Sequence, residues 1–467
     1  MLERGESISK PLGAIITPAM PNSAAIPIAQ EFSAAVGGPK RVSNSVCSGC
    51  GCLCDDIVLV VDGGRVVESI NACEMGARWF QKESPERQAS NPFCQIQGSE
   101  VDFARAVAES AAILQRAKAP IIVGLTQTTT ETVRIAIEIA DKVGAVIDCD
   151  LSGRSSARIQ AFQRQGRVTA TLGEVKNRAD VILFWGVDPV TTHPRHAERY
   201  SIEAKGRFRE NGRADRTILV VDEGPSPTSE AADRFLPISP ATEIEILWAM
   251  RAILAGKPLR RDCAHLVGLV DRLKAAEYAA IFADATFGRS RRSLAEFEAM
   301  SLFVRELNQV TRCVLLPLGG PGNATGAEAA LSWQTGFPSS VDLGAGVPVS
   351  IPGVTTAIDR LTRHEADLAL IIADAVPADL PYAAAQCLKA IPQIVVAPAT
   401  VDYEFEPTVR FAPPNPFLTS VGSLVRSDGV PLPLRAPLVV GSPSDRDCLR
   451  AISSKLDELG CSTQVRV

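Results

Sequence analysis

Five cysteines fall within 27 residues near the N-terminus, and four of them have the spacing of an iron–sulfur site. Cys47, Cys50, Cys54 and Cys73 are separated by two, three and eighteen residues. Three closely spaced thiolates can ligate three irons of a cubane, and a distant fourth completes all-cysteine ligation. Structural zinc usually takes two separated cysteine pairs, so this pattern fits zinc less well. The spacing predicts a [4Fe–4S] cluster, and a set of free buried cysteines is the alternative.

The elements around these cysteines predict how the fourth thiol reaches the first three. Two β-rich runs, residues 57–61 and 66–70, flank an Asp-Gly-Gly-Arg turn, which is typical of a hairpin. Such a hairpin returns Cys73 to the loop that carries the other three. Cys52 and Cys94 lie nearby in sequence and could substitute for a ligand or only accompany the four.

The rest of the chain alternates short apolar runs with amphipathic helical stretches, which predicts parallel sheets built from right-handed crossovers. The predicted strands are residues 120–124, 145–148, 181–185, 217–222, 313–316, 368–373 and 394–397, and the clearest helices are 101–117 and 130–143. We predict a mobile extension (1–45), a cysteine-rich domain (46–98), two α/β blocks (99–235 and 236–412) and a C-terminal segment (413–467) that packs back on the core.

Composition excludes several classes of function. Hydrophobic residues make up 46% of the chain and charged residues 22%, as in ordinary globular proteins. The net charge of −5 argues against a nucleic-acid or anionic-lipid binder. No apolar run reaches the ~18 residues of a membrane span, and the N-terminus lacks a secretory pattern. We therefore expect a cytoplasmic protein with reduced thiols and no membrane contact.

Further motifs carry a resemblance to a known family. They are Cys-Ser-Gly-Cys-Gly-Cys-Leu-Cys-Asp-Asp-Ile at 47–57, Asn-Ala-Cys at 71–73, Gly-Glu-Val-Lys-Asn-Arg-Ala-Asp at 173–180, Phe-Trp-Gly at 184–186, His-Pro-Arg-His at 193–196 and Asn-Ala-Thr-Gly at 323–326. From residue 46 to about residue 450 the chain resembles the B subunit of formylmethanofuran dehydrogenase, in the molybdopterin oxidoreductase superfamily. The resemblance implies a small cysteine-rich β domain followed by parallel-sheet α/β domains of the formate dehydrogenase/DMSO reductase type.

The resemblance also implies two alternative functions. In the dehydrogenase, the B subunit carries a [4Fe–4S] cluster and a tungsten or molybdenum ion held by two pterin guanine dinucleotides, and this centre interconverts CO2 and formate. A related bacterial formyltransferase/hydrolase complex contains a similar B subunit. Its other subunits pass formyl groups from tetrahydromethanopterin to a methanofuran-type carrier and release them as formate. The partners implied are formyltransferase, hydrolase and C-type subunits and that carrier.

The first departure from the dehydrogenase pattern concerns the metal ligand. The family places a cysteine or selenocysteine, followed by a histidine, upstream of the 173–180 motif; those positions here are Arg154 and Ser155. Arginine has no acceptor atom and cannot ligate a metal. Cys149 lies five residues earlier, where a shifted loop could make it a ligand, but we expect a buried structural thiol.

Two further departures concern the surroundings of the metal. The dehydrogenases place an arginine and a histidine in the turn at 317–323, where this chain has Gly319 and Pro321. Neither residue can donate a proton or stabilise a carboxylate. An Asp-Pro-Arg stretch common in pterin-binding relatives is replaced here by Asp222, Glu223 and Gly224, and Glu223 would repel phosphate. The three departures argue against a bound molybdenum or tungsten pterin.

The His-Pro-Arg-His motif has two interpretations. His193, Arg195 and His196 either keep part of a pterin pocket or a proton relay, or fix a loop at the carboxyl end of a strand. We favour the second. Three hypotheses then remain for the chain: a catalytically degenerate scaffold subunit, which we prefer, an active tungsten or molybdenum oxidoreductase, and an electron-transfer module that uses only the cluster.

Overall fold

The structure, a computed structural model, describes residues 38–81, 92–149, 154–259, 263–284 and 293–461. For residues 154–157, 159, 284 and 293 it describes the backbone alone. The side chains of Arg154 and Ser155 therefore lie outside the described part of the chain, as does most of the extension predicted for residues 1–45.

Strands and helices alternate over most of the chain, as the sequence predicts. The strands are β1 (Lys40–Ser45), β2 (Ile57–Asp62), β3 (Arg65–Ile70), β4 (Cys94–Ile96), β5 (Ser99–Glu100), β6 (Pro120–Gly124), β7 (Val146–Asp148), β8 (Val181–Trp185), β9 (Thr217–Asp222), β10 (Arg234–Pro237), β11 (Tyr278–Asp284), β12 (Arg312–Leu318), β13 (Val341–Asp342), β14 (Leu368–Ile372), β15 (Gln393–Val396), β16 (Val409–Phe411), β17 (Gly422–Val425) and β18 (Pro431–Leu434). The helices are α1 (Glu74–Gln81), α2 (Phe103–Arg116), α3 (Thr130–Val143), α4 (Arg154–Gln165), α5 (Leu172–Arg178), α6 (Pro189–Thr192), α7 (His196–Arg199), α8 (Pro227–Glu230), α9 (Glu243–Leu254), α10 (Ala264–Lys274), α11 (Ser293–Leu307), α12 (Ala324–Thr335), α13 (Ala357–Thr362), α14 (Tyr382–Ala390), α15 (Pro416–Thr419) and α16 (Asp445–Glu458).

A five-stranded parallel sheet positions the candidate site. Its order is β10-β9-β8-β11-β12. From β8 the chain adds β9 and then β10 on one side of the sheet. It then returns and adds β11 on the other side of β8, so the direction in which strands are added reverses between β8 and β11. In open α/β sheets ligands bind at the carboxyl ends of the strands near such a reversal. Apolar cores cover both faces of this sheet, which explains its nearly continuous apolar strands.

An eight-stranded mixed sheet forms the second layer, in the order β13-β7-β6-β14-β15-β16-β4-β5. It combines strands from residues 94–148 with strands from residues 341–411, while the five-stranded sheet takes residues 181–318. The predicted blocks 99–235 and 236–412 therefore do not each form one sheet. The reason is that the chain crosses from one sheet to the other after β7 and back after β12, and neither crossing interrupts the alternation of strands and helices.

The cysteine-rich region forms an antiparallel sheet in the order β1-β2-β3. The predicted hairpin is present, and Gly63 and Gly64 have positive φ in its turn, where glycine is favoured. The mobile extension predicted for residues 1–45 is wrong at its C-terminal end, because β1 begins at Lys40 and pairs with β2. This edge strand is mostly polar and exposed, so it lacks the apolar alternation that identifies a strand in sequence.

The C-terminal part of the chain returns to the N-terminal elements. Helix α16 packs on α2 and α3 and adds Leu449, Ile452 and Leu456 to the core of the eight-stranded sheet. Leu418 and Leu438 pack with Ile57 against the cysteine-rich sheet. Among the helices that the structure describes, none is long and apolar enough to cross a membrane.

Candidate functional site

The four cysteines predicted as ligands lie together. Cys47, Cys50, Cys54 and Cys73 line one small cavity, which we call the sulfur cavity. The first three come from the loop between β1 and β2, and Cys73 follows β3. The β2–β3 hairpin therefore returns the fourth thiol to the loop, as the sequence predicts.

Backbone and side-chain atoms around the sulfur cavity suit a bound cluster. The Gly76 amide donates to Cys73 Sγ at 3.4 Å, a contact that stabilises a thiolate. A Cβ on Gly76 would lie only 3.1 Å from Cys47 Sγ, so glycine leaves room beside the sulfurs. Ser48 Oγ is buried and has no hydrogen-bond partner in the described structure. These features fit a group that occupies the space between the thiols.

The four sulfurs are not arranged around a single ion. No group of three or more His, Cys, Asp or Glu side chains in the described ranges has the geometry to hold a metal ion. A cubane differs, because each cysteine ligates a different iron and the sulfurs surround the cluster instead of converging on one point. The [4Fe–4S] ligands therefore remain a prediction.

Neighbouring groups lower the pKa of two of the thiols. A hydrogen bond from Cys52 lowers the pKa of Cys54 to about 6, and the positive charge of Arg199 adds to this against the effect of burial. A hydrogen bond from Cys52 also lowers the pKa of Cys50. Burial, in contrast, raises the pKa of Cys47 to about 12. Thiolates are the ligating form, so Cys50 and Cys54 are the thiols most ready to bind iron.

The remaining cysteines near the site differ in position. Cys52 is buried beside Cys47 and Cys54 in one apolar cluster. Cys94 lies in the core of the eight-stranded sheet, away from the sulfur cavity. Cys149 also belongs to that core and is 4% exposed. Its packing supports the expectation of a buried structural thiol.

An aspartate–arginine seam joins the cysteine loop to the segment after β8. Arg195 donates to both carboxylate oxygens of Asp56 at 2.7 and 2.8 Å, and its Nε donates to Glu198. Arg199 donates to Asp55 at 2.9 Å and lies 3.3 Å from Asp56. Both arginine side chains are largely buried. The seam therefore fixes the loop by ion pairs between largely buried arginines and partly exposed aspartates.

The turn after β12 contacts the same loop. Gly51 and Gly319 pack backbone against backbone, so a Cβ on Gly51 would lie 2.0 Å from Gly319 O. The Gly322 amide donates to Ser48 O at 3.0 Å. His193 Nε2 donates to Gly319 O at 2.8 Å. Gly319, where the resemblance implies an arginine in the dehydrogenases, is here a contact point for the cysteine loop.

A cavity of about 650 Å³ opens at the carboxyl ends of β8, β9 and β12, in the range usual for small-molecule sites. His193 and Pro321 line it, and Gly49, Cys50 and Met75 line both this cavity and the sulfur cavity. None of the described residues that line it is lysine or arginine. Asp188, Asp222, Glu223 and Glu243 are among its lining residues. The Asp188 carboxylate accepts from Thr228, and the Glu243 carboxylate accepts from Trp185.

His196 lies in the core behind this cavity. Its side chain is fully buried, Nδ1 lies 2.9 Å from Ser201 Oγ, and Nε2 has no hydrogen-bond partner in the described structure. Burial, with a smaller effect of His193, lowers the pKa of His196 to about 3. A neutral histidine held by packing favours the loop-fixing interpretation of the motif.

The His196 environment predicts a pH dependence of stability. Between pH 3 and 6.5 the unfolded chain binds a proton at this residue and the folded chain does not. The contribution of His196 to the free energy of unfolding should therefore fall by up to about 1.4 kcal/mol for each pH unit as the pH decreases through this window. His196→Gln should lower the slope measured by urea unfolding between pH 5 and 6.5. His265→Gln, at an exposed histidine, should keep it, and equal slopes in both variants would contradict the account.

Comparison with solved structures establishes the fold. The formyltransferase/hydrolase complex (FhcABCD) from Methylorubrum extorquens, solved with methylofuran, includes a chain that superposes with a TM-score of 0.66 at 24% identity, covering 79% of this chain and all of that one. Acetylene hydratase from Pelobacter acetylenicus superposes with a TM-score of 0.62 at 8% identity, covering 90% of this chain and 70% of that one. The fold is that of the molybdopterin oxidoreductases.

Curated relatives establish the family. The B subunits of the tungsten-containing formylmethanofuran dehydrogenase 2 from Methanocaldococcus jannaschii and Methanococcus maripaludis are 35% and 32% identical, over 90% and 89% of this chain and 99% of each relative. The B subunit of the formyltransferase/hydrolase complex Fhc from Methylorubrum extorquens is 28% identical over 61% of this chain and 75% of its own length. The scan against family models found no match. The chain belongs to the family of formylmethanofuran dehydrogenase B subunits.

Sequence reasoning missed the aspartate–arginine seam. Asp55 and Asp56 directly follow Cys54, and Arg195 and Arg199 lie one helical turn apart. Two adjacent acidic residues beside a ligand loop indicate an ion-paired contact, and so do two arginines one helical turn apart. Neither pattern identifies its partner.

Proposed function

We propose that this chain is a non-redox B subunit of a complex that transfers formyl groups from tetrahydromethanopterin to a methanofuran-type carrier and releases formate. In this role it holds formyltransferase, hydrolase and C-type subunits and carries no tungsten or molybdenum centre. The observation that carries the proposal is the turn after β12. Gly319 there has no side chain and its carbonyl accepts from His193, and Pro321 has no proton to exchange.

The large cavity supports the same proposal. A pterin guanine dinucleotide contains a pyrophosphate, which requires cations or convergent N–H donors. The described lining residues instead place Asp222 and Glu223 at the end of β9, with Asp188 and Glu243 close by. Carboxylates repel phosphate, so this donor set does not fit the dinucleotide, and we assign no step of a reaction to it.

The cysteine site has a separate role in this proposal. Cys47, Cys50, Cys54 and Cys73 would hold a [4Fe–4S] cluster, which supplies electron transfer where a second redox centre is present. Without such a centre the cluster would join the β1–β2 loop to Cys73 after the hairpin and so stabilise the cysteine-rich domain. Free buried thiols remain the alternative.

One observation favours a second candidate function. The tungsten-containing relatives are 35% and 32% identical over almost their whole length, whereas the Fhc relative is 28% identical over a shorter span. That ranking would agree with an active tungsten or molybdenum oxidoreductase whose metal ligand is a residue other than the one at position 154.

Purification of the complex in its natural host tests the proposal. We expect the chain to co-purify with formyltransferase and hydrolase subunits, and the complex to release formate from a formylated carrier. Assembly should fail when the chain is deleted, because it holds the other subunits together. Formate-dependent reduction of an artificial electron acceptor by the complex, or normal assembly and turnover without the chain, would contradict the proposal.

A further inference from the structure

Two arginines lie between the cysteine loop and the carboxyl end of the five-stranded sheet. Arg195 lines the sulfur cavity together with Cys47, Cys50 and Cys54. Its side chain is 14% exposed. A guanidinium so sheltered from water exerts a much stronger electrostatic effect on neighbouring charges than one on the surface.

Arg199 approaches the same site from the next helical turn. Its positive charge acts on the side chain of Cys54, and its Nη2 donates to Asp55 at 2.9 Å. Its Nη1 is buried, makes no hydrogen bond in the described structure and lies 3.3 Å from Asp56. One edge of the guanidinium is thus held by the aspartates, and the group remains close to the Cys54 sulfur.

The aspartates hold these arginines in a fixed orientation. Asp56 binds Arg195 through two parallel hydrogen bonds, a geometry that only the planar guanidinium provides. Asp55, Asp56 and Glu198 are the carboxylates paired with these arginines, and each is at least 37% exposed, whereas the arginine side chains are 14% and 19% exposed. Water therefore screens the negative charges more than the positive ones, and the net effect at the sulfurs is positive.

Four cysteine thiolates give a [4Fe–4S] cluster a net negative charge, and reduction adds another. Burial makes this charge costly, since Cys47 and Cys54 are 7% and 6% exposed. We propose that Arg195 and Arg199 are positioning residues of the cysteine site, which compensate the charge of a bound cluster and raise its reduction potential. The inference rests on the proposed cluster. It assigns Arg195, in the His-Pro-Arg-His segment, and Arg199, in helix α7, to the cluster instead of to a pterin.

A redox titration of the full chain, purified without oxygen, tests the inference. The measurements are iron and sulfide content and the EPR signal of the reduced cluster. In Arg199→Gln the cluster should be present, but the ratio of reduced to oxidised cluster at a fixed potential should fall about tenfold. This change equals a potential lower by about 59 mV for a one-electron couple. Arg199→Lys keeps the charge and should recover most of the potential.

Arg305→Gln is the matched control, because this exposed arginine lies on α11, which does not line the sulfur cavity. Its potential should equal that of the wild type. An unchanged potential in Arg199→Gln with full iron content, or a wild-type chain that binds no iron, would overturn the inference. Failure of the proposed function is seen separately, as tungsten, molybdenum or formate oxidation in the complex, whatever the result for Arg199.

Discussion

Replacement of Gly51 by alanine is expected to detach the cysteine loop from the α/β body. The added Cβ would lie 2.0 Å from Gly319 O, and the obstacle is backbone that cannot rotate away as a side chain can. The contact also positions the carbonyl that accepts from His193. The clash should lower the free energy of unfolding by about 3 kcal/mol, at the upper end of the usual cost of overpacking. Urea unfolding followed by far-UV circular dichroism measures the effect.

Gly320→Ala provides a control in the same turn. A Cβ on Gly320 meets no atom within 4 Å, and the residue has no positive φ, so this variant should keep the wild-type stability. If Gly51→Ala were as stable as Gly320→Ala, the described docking of the loop on the turn would be wrong.

Replacement of Cys50 by serine has the largest expected effect on metal content. This thiol lines the sulfur cavity and is one of the two whose pKa is lowered, so it should ligate iron. The wild-type chain reconstituted with iron and sulfide should contain about four irons per chain. Cys50→Ser should lose most of them, together with the visible absorption of the cluster.

Cys52→Ala is the matched variant, because it removes a hydrogen bond to Cys50 and Cys54 but no thiol that lines the cavity. It should retain the iron of the wild type. Equal iron loss in both variants would make Cys52 a ligand and contradict the assignment of the four. Normal iron content in Cys50→Ser would remove Cys50 from the ligand set.

Much of the fold could be predicted because its strands are continuous apolar runs. Residues 120–124, 181–185 and 217–222 are strands as predicted, since burial on both faces of a parallel sheet leaves an unbroken apolar segment. The strand Tyr278–Asp284 was not predicted, because three of its seven residues are alanine and alanine gives no β signal. The division of the strands between two sheets was also missed, because it depends on where the chain crosses and not on local pattern.

The candidate site was predictable in part for a similar reason. The four cysteines are linked by a short hairpin, so the sequence alone predicted that they lie close together. The contacts that fix their loop are distant in sequence. Asp56 and Arg195 are 139 residues apart, and His193 and Gly319 are 126 apart. No local pattern identifies the partners in such pairs. The resemblance implied an arginine at position 319 in the dehydrogenases, but the contact of this glycine with the cysteine loop could not be predicted.

The metal content of the purified complex tests the central claim most directly. Elemental analysis by mass spectrometry measures tungsten, molybdenum and iron together in one sample. Under the proposed function we expect iron at about four per chain and only traces of tungsten and molybdenum, since neither Gly319 nor Pro321 offers a charged side chain to such a centre. About one tungsten or molybdenum ion per chain, with formate oxidation, would contradict it.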